Sequence, residues 1–308
     1  MGDGTNGRPS LGGSIAALVT PFRDGALDVE AFRRLVRRVV DGGSQGILVL
    51  GTTGEPLSLS EAERERLIAA AVETAAGRVF VVAGTGSADT LEAVRRTRAA
   101  ARLGADAAAV VVPYFVRPSQ AGILAHFERV LEASDLPIVV YNIPGRAGAA
   151  IEAATVARLR EASPRVIGMK ETTRDITFVA EVLAAAGSDF RVLAGFASMA
   201  LPTAAVGGSG VVGVTANLLP AAMARLWAHA SAGRLPEARA LHLGMLAVNE
   251  RLVADNPALV KVALARLGLM TAEVRLPMLA ADEAAAAALD GLLGGIWLDD
   301  EGQEVGHG

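Results

Sequence analysis

Only two of the 29 basic residues in this chain are lysines, Lys170 and Lys261; the other 27 are arginines. Arginine keeps its proton in any protein setting, whereas a lysine ammonium can be desolvated to a neutral, nucleophilic amine. Lys170 closes the run Arg165-Val166-Ile167-Gly168-Met169-Lys170, which reads as a short strand with the amine at its C-terminal tip. Burial at the mouth of an apolar fold disfavours the ammonium and frees its lone pair. Such an amine adds to a keto carbon, loses water and forms a Schiff base, an electron sink for making or breaking C–C bonds. That chemistry needs a proton shuttle and an anion site beside it. Tyr141 supplies a phenol, Thr52 a hydroxyl relay, and the amides of Thr52-Thr53-Gly54, in a glycine-flanked turn, a nest for a carboxylate.

Each of these residues also has an ordinary reading. A strand-end lysine commonly snorkels to the surface, GTTGE can simply cap the next helix, Tyr141 can pack a rim, and Arg146 can pair with a surface acid. Lys261 is the rival amine. It lies in Asn256-Pro257-Ala258-Leu259-Val260-Lys261, a helix opening after a proline, where its stem is expected along the core with Glu250 or Asp255 as partner. His126, His229, His242 and His307 show no ligand spacing, so no metal site is expected.

The elements that must position these residues alternate regularly. Strand-like runs fall at 14–20, 46–50, 79–83, 107–112, 137–141, 166–170, 191–194 and 210–214. Between them, helical periodicity marks 29–41, 61–76, 91–103, 121–133, 153–161 and 176–186. Ser60-x-x-Glu63 and Asp89-x-x-Glu92 both fit a capping box. Continuous apolar strands mean burial on both faces, and the alternation means parallel pairing through helical crossovers. Eight such units point to an α/β fold, a (β/α)8 barrel, with a doubly wound open sheet as the alternative. From about Leu218 to Leu293 the pattern turns wholly helical, including the Ala-rich stretch 280–288, which predicts a C-terminal helical extension. The expected division is a barrel over 13–230, a helical domain over 231–298, and disordered tails at 1–12 and 299–308.

In a barrel the strand C-termini form one rim, and that rim gathers the chemistry-bearing residues. It collects Gly51-Thr52-Thr53-Gly54-Glu55, Gly84-Thr85-Gly86, Pro113-Tyr114-Phe115, Tyr141-Asn142-Ile143-Pro144-Gly145-Arg146, Lys170-Glu171, Gly195 and Val212-Gly213-Val214-Thr215-Ala216-Asn217. Both tyrosines of the chain are among them. No nucleotide-binding glycine motif occurs. Net charge −4 and pI near 5.7 speak against a nucleic-acid partner. No apolar run reaches membrane-spanning length, and the N-terminus lacks the pattern of a signal peptide. Zero cysteines excludes disulfides and thiolate chemistry and suits a cytoplasmic setting.

These marks, in this order over roughly 13–280, closely resemble the dihydrodipicolinate synthase and N-acetylneuraminate lyase superfamily of class I aldolases. The resemblance implies a (β/α)8 barrel with a helical C-terminus, usually a homotetramer, and no cofactor beyond the covalent imine. It implies that Lys170 condenses with pyruvate or a related 2-oxo acid and that Tyr141 and Thr52 move protons. Thr53 and Gly54 would join Thr52 in holding the carboxylate, with Val212 and Gly195 lining the pocket. Arg146 would meet the second substrate's carboxylate, and the YNIPGR run sides with the synthase branch. Gly195-Phe196-Ala197 lacks the acids expected of the sialic acid branch.

Two departures stand out. Phe115 occupies the place of the tyrosine that a neighbouring subunit normally adds to the proton relay. Either Tyr114 or a water replaces it, or the protein is a paralogous aldolase or dehydratase acting on 2-keto-3-deoxy acids or 4-hydroxy-2-oxoglutarate. A catalytically silent binding protein on the same fold is a third reading, with Phe115 its one support. The family's lysine-feedback cleft is also eroded: Glu92 and Tyr114 match, but Ala88, Glu61 and Arg64 replace an asparagine and two histidines. Strong lysine inhibition is therefore not expected.

Overall fold

Both edges of the sheet are paired, so the open-sheet alternative falls away. The first strand bonds to the second on one side and to the eighth on the other, and the eight parallel strands run round the barrel in chain order. The structure, a computed structural model, describes residues 9–254 and 256–293. The strands are β1 (Gly13–Ala17), β2 (Gly46–Val49), β3 (Phe80–Gly84), β4 (Ala107–Val111), β5 (Ile138–Asn142), β6 (Val166–Glu171), β7 (Arg191–Ala194) and β8 (Gly210–Gly213). Their residues are almost all buried, as strands walled by the barrel interior and the outer helices must be.

The crossover helices are α1 (Val29–Asp41), α2 (Glu61–Ala75), α3 (Thr90–Arg102), α4 (Gln120–Ala133), α5 (Ala153–Ala162), α6 (Ile176–Ala186), α7 (Ala200–Ala205) and α8 (Pro220–Ser231). Ser60 and Glu63 close a complete capping box on α2. Asp89 caps α3, but Glu92 turns to Arg95 and Arg96 instead of closing the second box. The extension consists of α9 (Leu235–Ala254), α10 (Ala258–Arg266) and α11 (Glu283–Leu293).

Several boundaries differ from the sequence reading. β1 ends at Ala17, because beyond it the chain serves side chains: Asn217 takes the Val19 N–H (3.3 Å), and the Thr20 hydroxyl donates to the Gly54 carbonyl (2.7 Å). A small antiparallel hairpin, Phe22–Arg23 with Ala26–Leu27, is an addition to the expected elements. Its turn residues Asp24 and Gly25 both have positive φ, which is what an Asp-Gly pair supplies. The extension is not wholly helical. Residues 267–282 form an irregular strap of turns and coil, held by tertiary bonds such as Arg275 to Glu63 (2.6 and 3.0 Å) and Thr271 to the Phe22 carbonyl. Within the expected N-terminal tail, Leu11 is buried in the core against Gly168. The remainder, 1–8, and the C-terminal tail 299–308 with His307 lie outside the described residues, as do 294–298 of the expected helical domain.

Candidate active site

The register of β5 on β6 pairs Tyr141 directly with Lys170, so the two side chains leave adjacent strands at the same level of the rim. Lys170 is buried (6% exposed), and its Nζ stands 4.3 Å from the centroid of the Tyr141 ring. Among the described residues no carboxylate comes within ion-pair distance of it. The phenol is 3.2 Å from the Thr52 hydroxyl. Amine, aromatic ring, phenol and threonine thus form one contiguous chain across β6, β5 and the loop after β2.

Glycine makes room for that chain at two points. A Cβ on Gly195 would stand 2.2 Å from Thr172 Cγ2, 2.8 Å from the Glu171 carbonyl and 3.2 Å from Lys170 Cε, so the loop after β7 packs against the lysine only without a side chain. Leu50, just before the threonine turn, has φ +61, a strained value for leucine. Its carbonyl then lies where a Cβ on Gly84 would be, 2.1 Å away, which gives the first glycine of Gly84-Thr85-Gly86 a steric role.

Residues 52–54 form a single 3-10 turn ending at Glu55 in the left-handed region (φ 51°). The Gly54 N–H donates to the Gly51 carbonyl (2.9 Å), so the third amide expected in the anion nest is used within the turn. Thr52 and Thr53, at its start, have no acceptor for their amides inside the turn itself. The Thr53 hydroxyl accepts from the Asn256 amide (2.9 Å) and is buried against the C-terminal extension.

A cavity of about 420 Å³ opens at the rim over β2 to β5 and is roofed by Pro277 and Met278 of the strap. Thr52, Tyr141, Tyr114 and Arg146 line it; Lys170, Gly195 and Val212 do not, and Lys170 meets it at the Tyr141 ring. Arg146, on the one-turn helix Pro144–Ala147, is exposed and has no carboxylate partner among the described residues. Val212 is buried in β8, facing Ile15 across the ladder. Phe115 does not join the site within the subunit: its side chain is 90% exposed on a backbone of φ +71.

Buried charge surrounds the site. Glu171, next to Lys170 but paired in register with Asn142, accepts from Asn142 (2.8 Å) and from the Thr173 amide; burial pushes its carboxyl up. Arg64 reaches the Gly84 and Pro56 carbonyls (both 2.9 Å), and burial lowers its guanidinium to about 10. Lys261 is fully buried and pairs with Glu55, not with Glu250, which binds Arg174 (2.8 Å); Asp255 lies outside the described residues. The physical reason is reach inward: Lys261 faces the barrel while Glu250 faces the loop after β6. Sequence reading placed Glu55 at the rim without a role and passed over Asn256 and Arg275. For Glu55 the signal was its place at the end of the GTTGE turn; for Asn256 and Arg275 there was none.

Fold and site together define a (β/α)8 barrel protein with an amine at the mouth that has no carboxylate partner among the described residues, beside a phenol hydrogen-bonded to a threonine. A family model described as the dihydrodipicolinate synthetase family matches residues 10–294. A 4-hydroxy-tetrahydrodipicolinate synthase from Thermus thermophilus is 44% identical over 268 residues, 86% of this chain and 90% of the relative. Among solved structures, dihydrodipicolinate synthase from Aquifex aeolicus superposes with a TM-score of 0.90 at 38% identity, over 92% of this chain and 97% of that one. The Acinetobacter baumannii enzyme, crystallised with pyruvate, gives 0.90 at 35% identity over 93% and 99%. The chain belongs to the dihydrodipicolinate synthetase family.

Proposed function

We propose that the protein is a 4-hydroxy-tetrahydrodipicolinate synthase, condensing pyruvate with aspartate semialdehyde through an imine on Lys170. One observation carries the reading: a buried amine without a carboxylate partner among the described residues lies 4.3 Å from the ring of a phenol that reaches a threonine hydroxyl. The neutral amine adds to C2 of the oxo acid, and water leaves to give an iminium. A methyl proton then departs, and the enamine carbon attacks the aldehyde, whose oxygen takes up a proton. The amino group of the aldehyde substrate finally attacks C2, closing the ring and releasing Lys170. Tyr141 is the group that gives and takes protons at the imine, with Thr52 holding its hydroxyl. The first two amides of the threonine turn receive the pyruvate carboxylate, and the unpaired guanidinium of Arg146 receives the aldehyde's. No cofactor takes part.

Tyr114, which lines the cavity, is the phenol available beside Phe115, which stands where the family relay has a tyrosine. Exposure of Phe115, Val116, Leu276 and Leu279 supports a homo-oligomer, with a tetramer as the family form. No helix among the described residues is long and apolar enough to cross a membrane, and a cytoplasmic setting fits a chain without cysteine. Phe115 favours a second reading, a 2-oxo acid aldolase or dehydratase outside this condensation. The test is incubation with pyruvate and borohydride, followed by mass analysis. The expected adduct falls on the peptide containing Lys170 and disappears in Lys170→Ala. No adduct on that peptide refutes the reading. Turnover of a 2-keto-3-deoxy acid without condensation of aspartate semialdehyde selects the second.

A further inference from the structure

The second lysine of this chain is as constrained as the first is free. Lys261 lies on α10 with no exposed surface, and its ammonium contacts three groups: the Glu55 carboxylate, the Glu273 carbonyl (2.8 Å) and the face of Phe22 (4.2 Å to the ring centroid). Burial pushes its pKa down and Glu55 opposes that shift; the Lys261–Glu55 contact is a buried salt bridge that the interior tolerates only with both members present. The other oxygen of Glu55 accepts the Arg275 N–H from the strap (3.0 Å).

Every residue of the threonine turn is gripped from a different element. Thr52 meets Tyr141 of β5, Thr53 meets Asn256 before α10, and the Gly54 carbonyl meets Thr20 after β1. Glu55 meets Lys261 and the strap. Glu55 also sits in the left-handed region, where a non-glycine residue persists only when its surroundings fix it. Two of these four grips come from the C-terminal extension, about two hundred residues away in sequence.

We infer that the C-terminal extension is a working part of the carboxylate site: Lys261, acting through Glu55, is a positioning residue that sets the Thr52–Thr53 amides for the 2-oxo acid. It touches no reacting atom. This rests on the reading of Lys170 as a pyruvate-binding amine, and the interaction is specific in its effect. Loosening the turn moves the amides that hold the oxo acid, while Arg146, on the loop after β5, stays where the aldehyde is bound.

The test compares the parent with Glu55→Gln, which keeps shape and removes the charge, and with the neutral pair Glu55→Gln/Lys261→Met. Each is checked for folding by circular dichroism. Pyruvate dependence is read from borohydride trapping at Lys170 and from the KM values for both substrates. The expected result is a rise of tenfold or more in the pyruvate concentration for half-maximal trapping in the neutral pair. A rise at least as large is expected in Glu55→Gln, which leaves the Lys261 ammonium buried without its carboxylate, and the KM for aspartate semialdehyde moves by less than twofold in both. Folded variants whose pyruvate dependence stays within twofold of the parent overturn the inference. So does a KM for both substrates that rises together, or failure of both variants to fold, since either assigns the pair to stability alone. A parent that traps no pyruvate refutes the function reading itself, and this inference with it.

Discussion

Replacing Tyr141 by phenylalanine removes one oxygen from the site and leaves almost everything else. The ring beneath Lys170 remains at about its 4.3 Å spacing, so the cation–π contribution, ~0.5–2 kcal/mol, is retained. The lost bond to Thr52 is long at 3.2 Å, and a net hydrogen bond of this kind contributes about 1 kcal/mol or less to stability. The fold should therefore survive. Chemistry should not, because positioned proton transfer is worth roughly 10²–10⁴ in rate. At ~1.4 kcal/mol per tenfold, the variant raises the barrier by about 3–5 kcal/mol. Steady-state condensation kinetics should show kcat falling by that factor, while borohydride still traps pyruvate on Lys170 after long incubation. Thr52→Val provides the partner experiment. If Thr52 acts through the phenol, the double variant loses no more than Tyr141→Phe alone. A kcat for Tyr141→Phe within about threefold of the parent refutes the assignment of Tyr141 as proton donor. Losses that multiply in the double variant refute the relay.

Further outcomes follow from the same geometry. Gly195→Ala places a Cβ 2.2 Å from Thr172 Cγ2 and 3.2 Å from Lys170 Cε, so trapping at Lys170 should slow at least tenfold in a protein whose melting temperature shows the strain; an unchanged trapping rate contradicts it. Glu63, hydrogen-bonded by Arg275, is lowered to about 2 from 4.5, so its contribution to stability is present above pH ~4.5 and is lost as pH falls towards 2. Glu63→Gln should therefore lower stability at neutral pH by up to about 3 kcal/mol, and the gap to the parent should close in acid; a gap constant from pH 6 to pH 2.5 in urea titrations goes against it. L-lysine at millimolar concentration should leave the condensation rate nearly unchanged, because its ammonium would face the buried guanidinium of Arg64 in the cleft beside Tyr114. Substantial inhibition measured in the coupled assay would show that the cleft binds it regardless.

The barrel was legible because its information is local. All eight strands announced themselves as short buried runs, and their regular alternation with helices left few topologies. Lys170 could be singled out for the same reason: its place at the end of one such run, β6, follows from the run itself. Even the Asp24-Gly25 hairpin carried a local signal, two residues suited to positive φ. The strap over 267–282 had none. Its neighbours in sequence favour helix, and what holds it in place is Arg275 on Glu63 and Lys261 on the Glu273 carbonyl.

Sequence alone determined that one of two lysines ends a barrel strand, and that hydroxyls and glycines gather at that rim. Tertiary structure alone decided what each lysine does. Among the described residues Lys170 has no carboxylate partner, because its strand-end position faces the mouth beside Tyr141. Lys261 was locked because folding brings Glu55, 206 residues away, against its buried ammonium. Pairings across that distance leave no period or motif in the chain; they exist only once the core has closed and an unpaired buried charge has become too costly to leave.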